Sequence, residues 1–136
     1  MIPIAREDLV VLMEGGYVYL RMGRFEEARE VFEGVSILAP ESEIPVVAMG
    51  SVFFAQMKYD QAIRCYKKAL GLKSDSAFAR AYLGESLLFK GKTDEAVKEL
   101  EKASMLDSEG KSGDFARALL AAVKKGFAVG EQMRHH

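Results

Sequence analysis

Residues able to do acid–base, nucleophilic or metal chemistry are few in this chain, and their spacing does not serve it. The two histidines, His135 and His136, close a chain of 136 residues. No Ser/His/Asp or Cys/His set can be assembled around them. The lone cysteine, Cys65, lies among Ala62, Ile63, Tyr66 and Ala69, the setting of a small buried hydrophobe rather than an activated thiol. Gly110-Lys111-Ser112-Gly113 has the residue types of a phosphate loop without the upstream strand or the second glycine spacing. Carboxylates come as neighbours such as Glu26/Glu27, Asp94/Glu95 and Glu99/Glu101, an arrangement of solvated helix faces. No metal-ligand spacing occurs. The expectation is a non-enzyme without metal or cofactor, whose function resides in a surface.

Charge and hydropathy narrow the kind of surface. The formal net charge is −1, with 49% hydrophobic and 29% charged residues. That balance suits a soluble globular domain and gives no general attraction to nucleic acid or anionic membrane. No apolar run reaches the ~18 residues that span a bilayer, and the first residues lack a basic-then-apolar leader. A single cysteine allows no internal disulfide, so a reducing, cytoplasmic location is expected.

The elements that must build the surface are written in a ladder. Gly16, Gly50 and Gly84 are evenly spaced, and Ala28, Ala62 and Ala96 repeat the same interval. Phe32, Tyr66 and Leu100 share a rung, and so do Val35, Ala69 and Ala103, and Leu38, Leu72 and Leu106. Gly23 and Gly91 share a turn position held by Met57 in the middle unit. Each unit reads as helix A (about 9–22, 43–56 and 77–90), a short turn, and helix B (about 25–37, 59–71 and 93–105). Small residues at the Gly and Ala rungs let A and B cross closely, with the larger rung filling the space beside them. A last helix is expected over about 114–128, its start capped by Ser112 or Asp114, and a tail over 129–136. Its residues Phe115, Leu119, Leu120, Val123 and Phe127 make it apolar nearly all round. It therefore either caps the open end of the third unit or presents a second surface to a partner or another copy.

With these rungs, a period of about 34 residues resembles the tetratricopeptide repeat (TPR). Three units lie in phase, at about 9–42, 43–76 and 77–110. The resemblance implies an all-α, right-handed α-solenoid: three helix–turn–helix units and a C-terminal capping helix in one domain over 1–128. It also implies a concave face lined by the second, fifth, ninth, twelfth and thirteenth positions of each repeat. These are Val10, Met13, Tyr17, Leu20 and Arg21, then Ile44, Val47, Ser51, Phe54 and Ala55, then Phe78, Ala81, Glu85, Leu88 and Phe89. Eleven of the fifteen are apolar. TPR adaptors that clamp acidic chaperone tails want Lys or Asn where this chain has Met13, Tyr17, Ser51 and Ala81. The implied partner is instead a protein carrying an apolar helix or extended segment, with Tyr17, Phe54, Phe78 and Phe89 as aromatic anchors.

Among small TPR proteins, the stretch from Gly23 to Pro40 resembles the first repeat of bacterial type III secretion chaperones, which hold apolar segments of translocator or needle subunits before export. Only about eight residues precede the first repeat, which points toward the needle-subunit branch. The alternative is a TPR scaffold that joins subunits of a larger assembly through its convex face or terminal helix, its groove filled by the chain itself.

Overall fold

A Cβ atom at Gly16 would run into the ring of Phe32, and one at Gly50 into the ring of Tyr66. At Gly84 it would sit 2.6 Å from the Leu100 side chain. Each glycine thus faces the large residue sixteen positions later, and the crossing is so close that only a hydrogen fits. Phe32, Tyr66 and Leu100 are fully buried there, beside Ala28, Ala62 and Ala96. This contact repeats three times and defines three antiparallel helix pairs.

The computed structural model describes residues 5–126. Seven helices follow one another: α1 (Arg6–Arg21), α2 (Phe25–Leu38), α3 (Ile44–Ala55), α4 (Tyr59–Leu72), α5 (Ala77–Phe89), α6 (Thr93–Leu106) and α7 (Lys111–Lys124). No strand occurs among the described residues. Each helix packs on its successor, and α1·α3, α3·α5 and α5·α7 also touch. The result is an α-solenoid with the odd-numbered helices side by side. One core joins α1, α2 and α3 through Met13, Ala28, Phe32, Val35, Ala48 and Val52. A second runs from α3 to α7.

The turns inside the pairs share one geometry. The Arg24 N–H donates to the Tyr19 carbonyl at 2.9 Å and the Gly23 N–H to that of Leu20 at 3.0 Å. Lys58 and Met57, and Lys92 and Gly91, repeat both bonds. This is the Schellman ending, which needs a left-handed residue. Gly23 and Gly91 supply it at φ 74° and 78°, and Met57 is forced to φ 61° with its side chain exposed. Proline at the first turn opens α3, and the Ser76 hydroxyl caps α5 by accepting the Ala79 N–H at 3.1 Å.

The last helix departs from expectation at its start. It begins at Lys111 behind Gly110, so Ser112 and Asp114 lie inside its first turn and neither caps it. The capping carboxylate is Asp107, which accepts the N–H groups of Gly110 and Gly113, both at 2.8 Å. Those bonds hold its carboxyl below the usual carboxylate range, the Gly113 bond foremost. The Arg117 guanidinium ties α7 to the end of α6, donating to the Ser104 and Asp107 carbonyls at 3.2 and 3.1 Å. The large apolar residues of α7 lie against the core, and its exposed positions are Lys111, Asp114, Ala118, Ala121 and Lys124. The helix is thus not apolar all round. The end of the expected helix beyond 126 and the tail 129–136 lie outside the described residues.

A cluster of exposed apolar chains lies on α1, at Val11, Leu12 and Val18, with Met22 just beyond its end. Their counterparts one repeat later include Pro45, Val46 and Val52, buried beneath α2. No helix among the described residues precedes α1 to do the same.

Two substitutions test this construction. Met57→Gly relieves the left-handed strain and raises stability by about 1 kcal/mol, seen as a higher Tm. Gly50→Ala forces a methyl against Tyr66 and costs about 1–3 kcal/mol, seen in the denaturant midpoint at unchanged m-value.

Candidate functional site

The odd-numbered helices α1, α3, α5 and α7 lie side by side on the face expected to be concave. That α7 belongs to it follows from its phase. Lys111 stands one repeat period after Ala77, so α7 takes the place of a fourth helix A and packs on α5 and α6 as α5 packs on α3 and α4. Its second, fifth, ninth, twelfth and thirteenth positions, counted in the same register, are Ser112, Phe115, Leu119, Ala122 and Val123, all half-buried. Sequence reasoning treated this helix as a cap or a second partner surface and did not count these positions in the groove, although the repeat offset was available.

The expected groove residues separate into three depths. Met13, Val47, Ala81 and Leu88 are buried and form the packed floor between helices. Tyr17, Leu20, Ser51, Phe54, Phe78, Glu85 and Phe89 are half-buried. Val10, Arg21, Ile44 and Ala55 are exposed. Val10, Met13, Tyr17 and Ile44 come together around a cavity of about 410 Å³ where α1 meets the end of α2 and the start of α3. Leu9, Val35, Ala39 and Pro45 complete its apolar wall, with Arg6, Glu14 and Ser42 at the lining. These seven were not foreseen. Val35 sits on helix B, and only the tertiary crossing brings it to the groove.

The anchors are spoken for in part by one another. Phe54 meets Phe89 edge to face at 5.0 Å between centroids, and Tyr59 packs on both at 5.3 Å. At the other end Phe78 meets Tyr82 edge to face at 5.2 Å, and Tyr82 packs on Phe115 of α7 at 5.3 Å. Tyr17 leans on Phe32 at 5.1 Å. Such pairs prefer tilted and edge-on geometry and add to burial. They leave ring edges, rather than whole rings, for a ligand.

A polar island interrupts the apolar surface. Ser51 and Glu85 occupy the ninth position of their repeats, between Tyr17 and Leu119 in the same register. The Ser51 hydroxyl is 3.4 Å from the Tyr66 hydroxyl and donates to the Val47 carbonyl at 3.3 Å. Burial pushes the Glu85 carboxyl up to about 7 and the Tyr17 phenol up to about 12, the latter also through Tyr82. Tyr66 is raised by burial against the opposing Ser51 bond, and Tyr82 by burial and then by Glu85. No lysine, arginine or histidine among the described residues forms an ion pair with Glu85. Nor do the described residues bring together three His, Cys, Asp or Glu side chains able to hold a metal. None of their helices is long and apolar enough to cross a membrane. Cys65 is half-buried, its thiol pushed up by burial.

Comparison with known proteins follows this geometry. A TPR repeat model matches residues 50–88, and a tetratricopeptide repeat model matches residues 12–40 and 80–109. The chain is a tetratricopeptide repeat protein. It is 33% identical over 103 residues to the TPR repeat-containing thioredoxin TDX of Arabidopsis thaliana, covering 76% of this chain and 27% of that protein. The chain thus spans about a quarter of that relative. Among solved structures, the TPR stack superposes on the type III secretion translocator chaperone SycD of Yersinia enterocolitica with a TM-score of 0.77 at 22% identity, covering 92% of this chain and 98% of that one. PcrH from Pseudomonas aeruginosa gives 0.75 at 19%, covering 89% and 95%.

The buried carboxyl predicts a pH signature of the unliganded TPR domain. Glu85 binds its proton more tightly folded than unfolded, so its contribution to stability is lost as pH rises from about 4.5 to about 7. Glu85→Gln removes that loss, and above neutral pH the variant gains on the order of 1–2 kcal/mol after allowance for the solvent on the open side. Chemical denaturation of both proteins at pH 5 and pH 8 measures it.

Proposed function

We propose that this TPR protein sequesters an apolar segment of a protein partner along its concave face, as an export chaperone of the type III secretion kind. The observation that carries the reading is the continuity of the apolar surface. It runs from the cavity at Val10, Met13, Tyr17 and Ile44, where Arg6 and Glu14 also line the wall, past Phe54 and Phe89 to Phe78 and Phe115, and its half-buried charge is Glu85, without an ion-pair partner among the described residues. An exposed surface of that make-up is unusual unless something binds it.

The likeness to SycD and PcrH supports the reading because it takes in nearly the whole of those chains, not one repeat pair. SycD has been solved with a peptide of the translocator YopD, and PcrH with the chaperone-binding regions of PopB and PopD. A translocator-type client therefore fits better than the needle-type client that the short N-terminal stretch suggested. TPR grooves also take acidic tails, as in Spaghetti bound to an HSP90 peptide. Here the half-buried ionisable group at the groove centre is an acid, which opposes such a tail.

A scaffold role has one observation in its favour, the exposed Val11, Leu12, Val18 and Met22 on the outer side of α1. The two roles separate by substitution once the client has been identified by mass spectrometry of the co-purified complex. Phe54 and Phe89 support each other and Tyr59, so charging them endangers the fold; Val10 and Ile44 are exposed at 50% and 39% and can be changed safely. The double variant Val10→Asp/Ile44→Asp should weaken client binding about a hundredfold, while Val11→Asp/Val18→Asp leaves it intact. Titration calorimetry reads both, and the reverse pattern would establish the scaffold.

A further inference from the structure

Glu85 is the half-buried charged residue of the groove whose chemistry the apolar reading leaves unused. It lies half-buried on α5 at the middle of the groove. The phenols of Tyr66 on α4 and Tyr82 on its own helix lie near it, and the Ser51 hydroxyl on α3 is 3.4 Å from that of Tyr66. All three are neutral at physiological pH. Among the described residues no basic group pairs with Glu85, and three on its own and neighbouring elements are engaged elsewhere. Arg80 pairs with Glu99 at 2.7 Å, Lys90 with Asp60 at 3.3 Å, and Arg117 with Asp114 at 2.7 Å. Lys111 lines the separate hollow beside Phe78, Tyr82 and Phe115. A carboxylate held away from water without a cation is costly unless a partner compensates it.

We infer that the segment bound in this groove is apolar with one basic side chain, lysine or arginine, placed to pair with the Glu85 carboxylate and so to fix the register of the segment. The inference rests on the groove-binding reading and adds to it the charge and position of a single client residue. A purely apolar segment would seal Glu85 under its own surface with nothing to satisfy it. A basic side chain provides charge-assisted hydrogen bonds in a site already stripped of much of its water, and sliding by one turn would lose them.

The consequence for pH has a defined sign. Glu85 titrates about 7 when the groove is empty, and a cation beside it lowers that value in the complex. Affinity therefore rises with pH and levels off above neutrality. At pH 5.5 only a few per cent of the free groups are ionised, so binding is weaker than at pH 8.5 by up to about tenfold. Tyr17, Tyr66 and Tyr82 stay protonated throughout this range, being raised above ordinary phenols.

The test is selection of a random phage-displayed peptide library on the full-length protein at pH 8 and, in parallel, on Glu85→Gln. Winning peptides are then synthesised with their central basic residue and with norleucine in its place, and binding is followed by fluorescence anisotropy at pH 5.5 and 8.5. The expected result is apolar peptides with one enriched Lys or Arg, an affinity loss of about tenfold on norleucine replacement, and loss of both the enrichment and the pH dependence in Glu85→Gln. Apolar peptides without basic enrichment, bound equally by both proteins, would overturn the role of Glu85 and leave the groove reading standing. Failure to select apolar peptides at all would overturn the groove reading itself. Arg134→Gln addresses the chain's own tail. If that change alone makes basic peptides bind more tightly, the cation that Glu85 awaits is Arg134, and the assignment to a client is wrong.

Discussion

Everything in this molecule depends on how closely two helices can cross. At Gly16, Gly50 and Gly84 the first helix of each pair comes so near its partner that Phe32, Tyr66 or Leu100 lies against bare backbone. A glycine inside a helix costs about 1 kcal/mol against alanine, and that cost recurs three times. Burial of a ring or a leucine offsets it each time, since a large apolar side chain taken from water contributes about 1.5–3 kcal/mol. The crossing also sets the spacing of the odd-numbered helices, and thereby the shape of the face they share. The fourth rung tests the logic from inside the structure. Ala118, one repeat after Gly84, is exposed, and no described helix crosses α7 there, so a methyl group is tolerated.

The rungs made the fold legible before any coordinate was seen, because each encodes a size limit that one residue type satisfies. Helix pairing, turn positions and the left-handed residues at Gly23 and Gly91 follow directly. Met57 shows where such legibility ends. Its place in the ladder demanded a left-handed residue, and its identity argued against one, yet the two backbone bonds of the turn prevailed. The start of α7 was misread for a similar reason. Ser112 and Asp114 have the chemistry of caps, but Asp107 reaches the free N–H groups first from the end of the preceding helix.

The site was legible in direction but not in depth. A helical period says which way Val47, Ala81 and Leu88 point, and only the neighbouring helices decide that they are floor rather than surface. The same limit hid Val35, Tyr59 and Phe115, which reach the concave side from helices the periodic rule assigned elsewhere. Glu85 stood out among groove residues as an acid in an apolar series. Its loss of solvation was invisible because burial is set by the packing of helices, which a helical period does not encode.

The two ends of the stack differ in a way that bears on how the protein is used. At α7 the outward positions are charged or small, and Arg117 and Asp107 bind the helix to its neighbour with polar contacts that tolerate water. At α1 the outward positions include Val11, Leu12 and Val18, whose counterparts in the next repeat, Pro45, Val46 and Val52, are buried. The hydrophobic effect scales with apolar area exposed, so contact with another molecule outside the groove is driven at α1 and not at α7. The groove and the α1 face lie on different sides of the same helix, with Val10, Met13 and Tyr17 on one and Val11 and Val18 on the other. Occupation of one of these faces of α1 would therefore leave the other free.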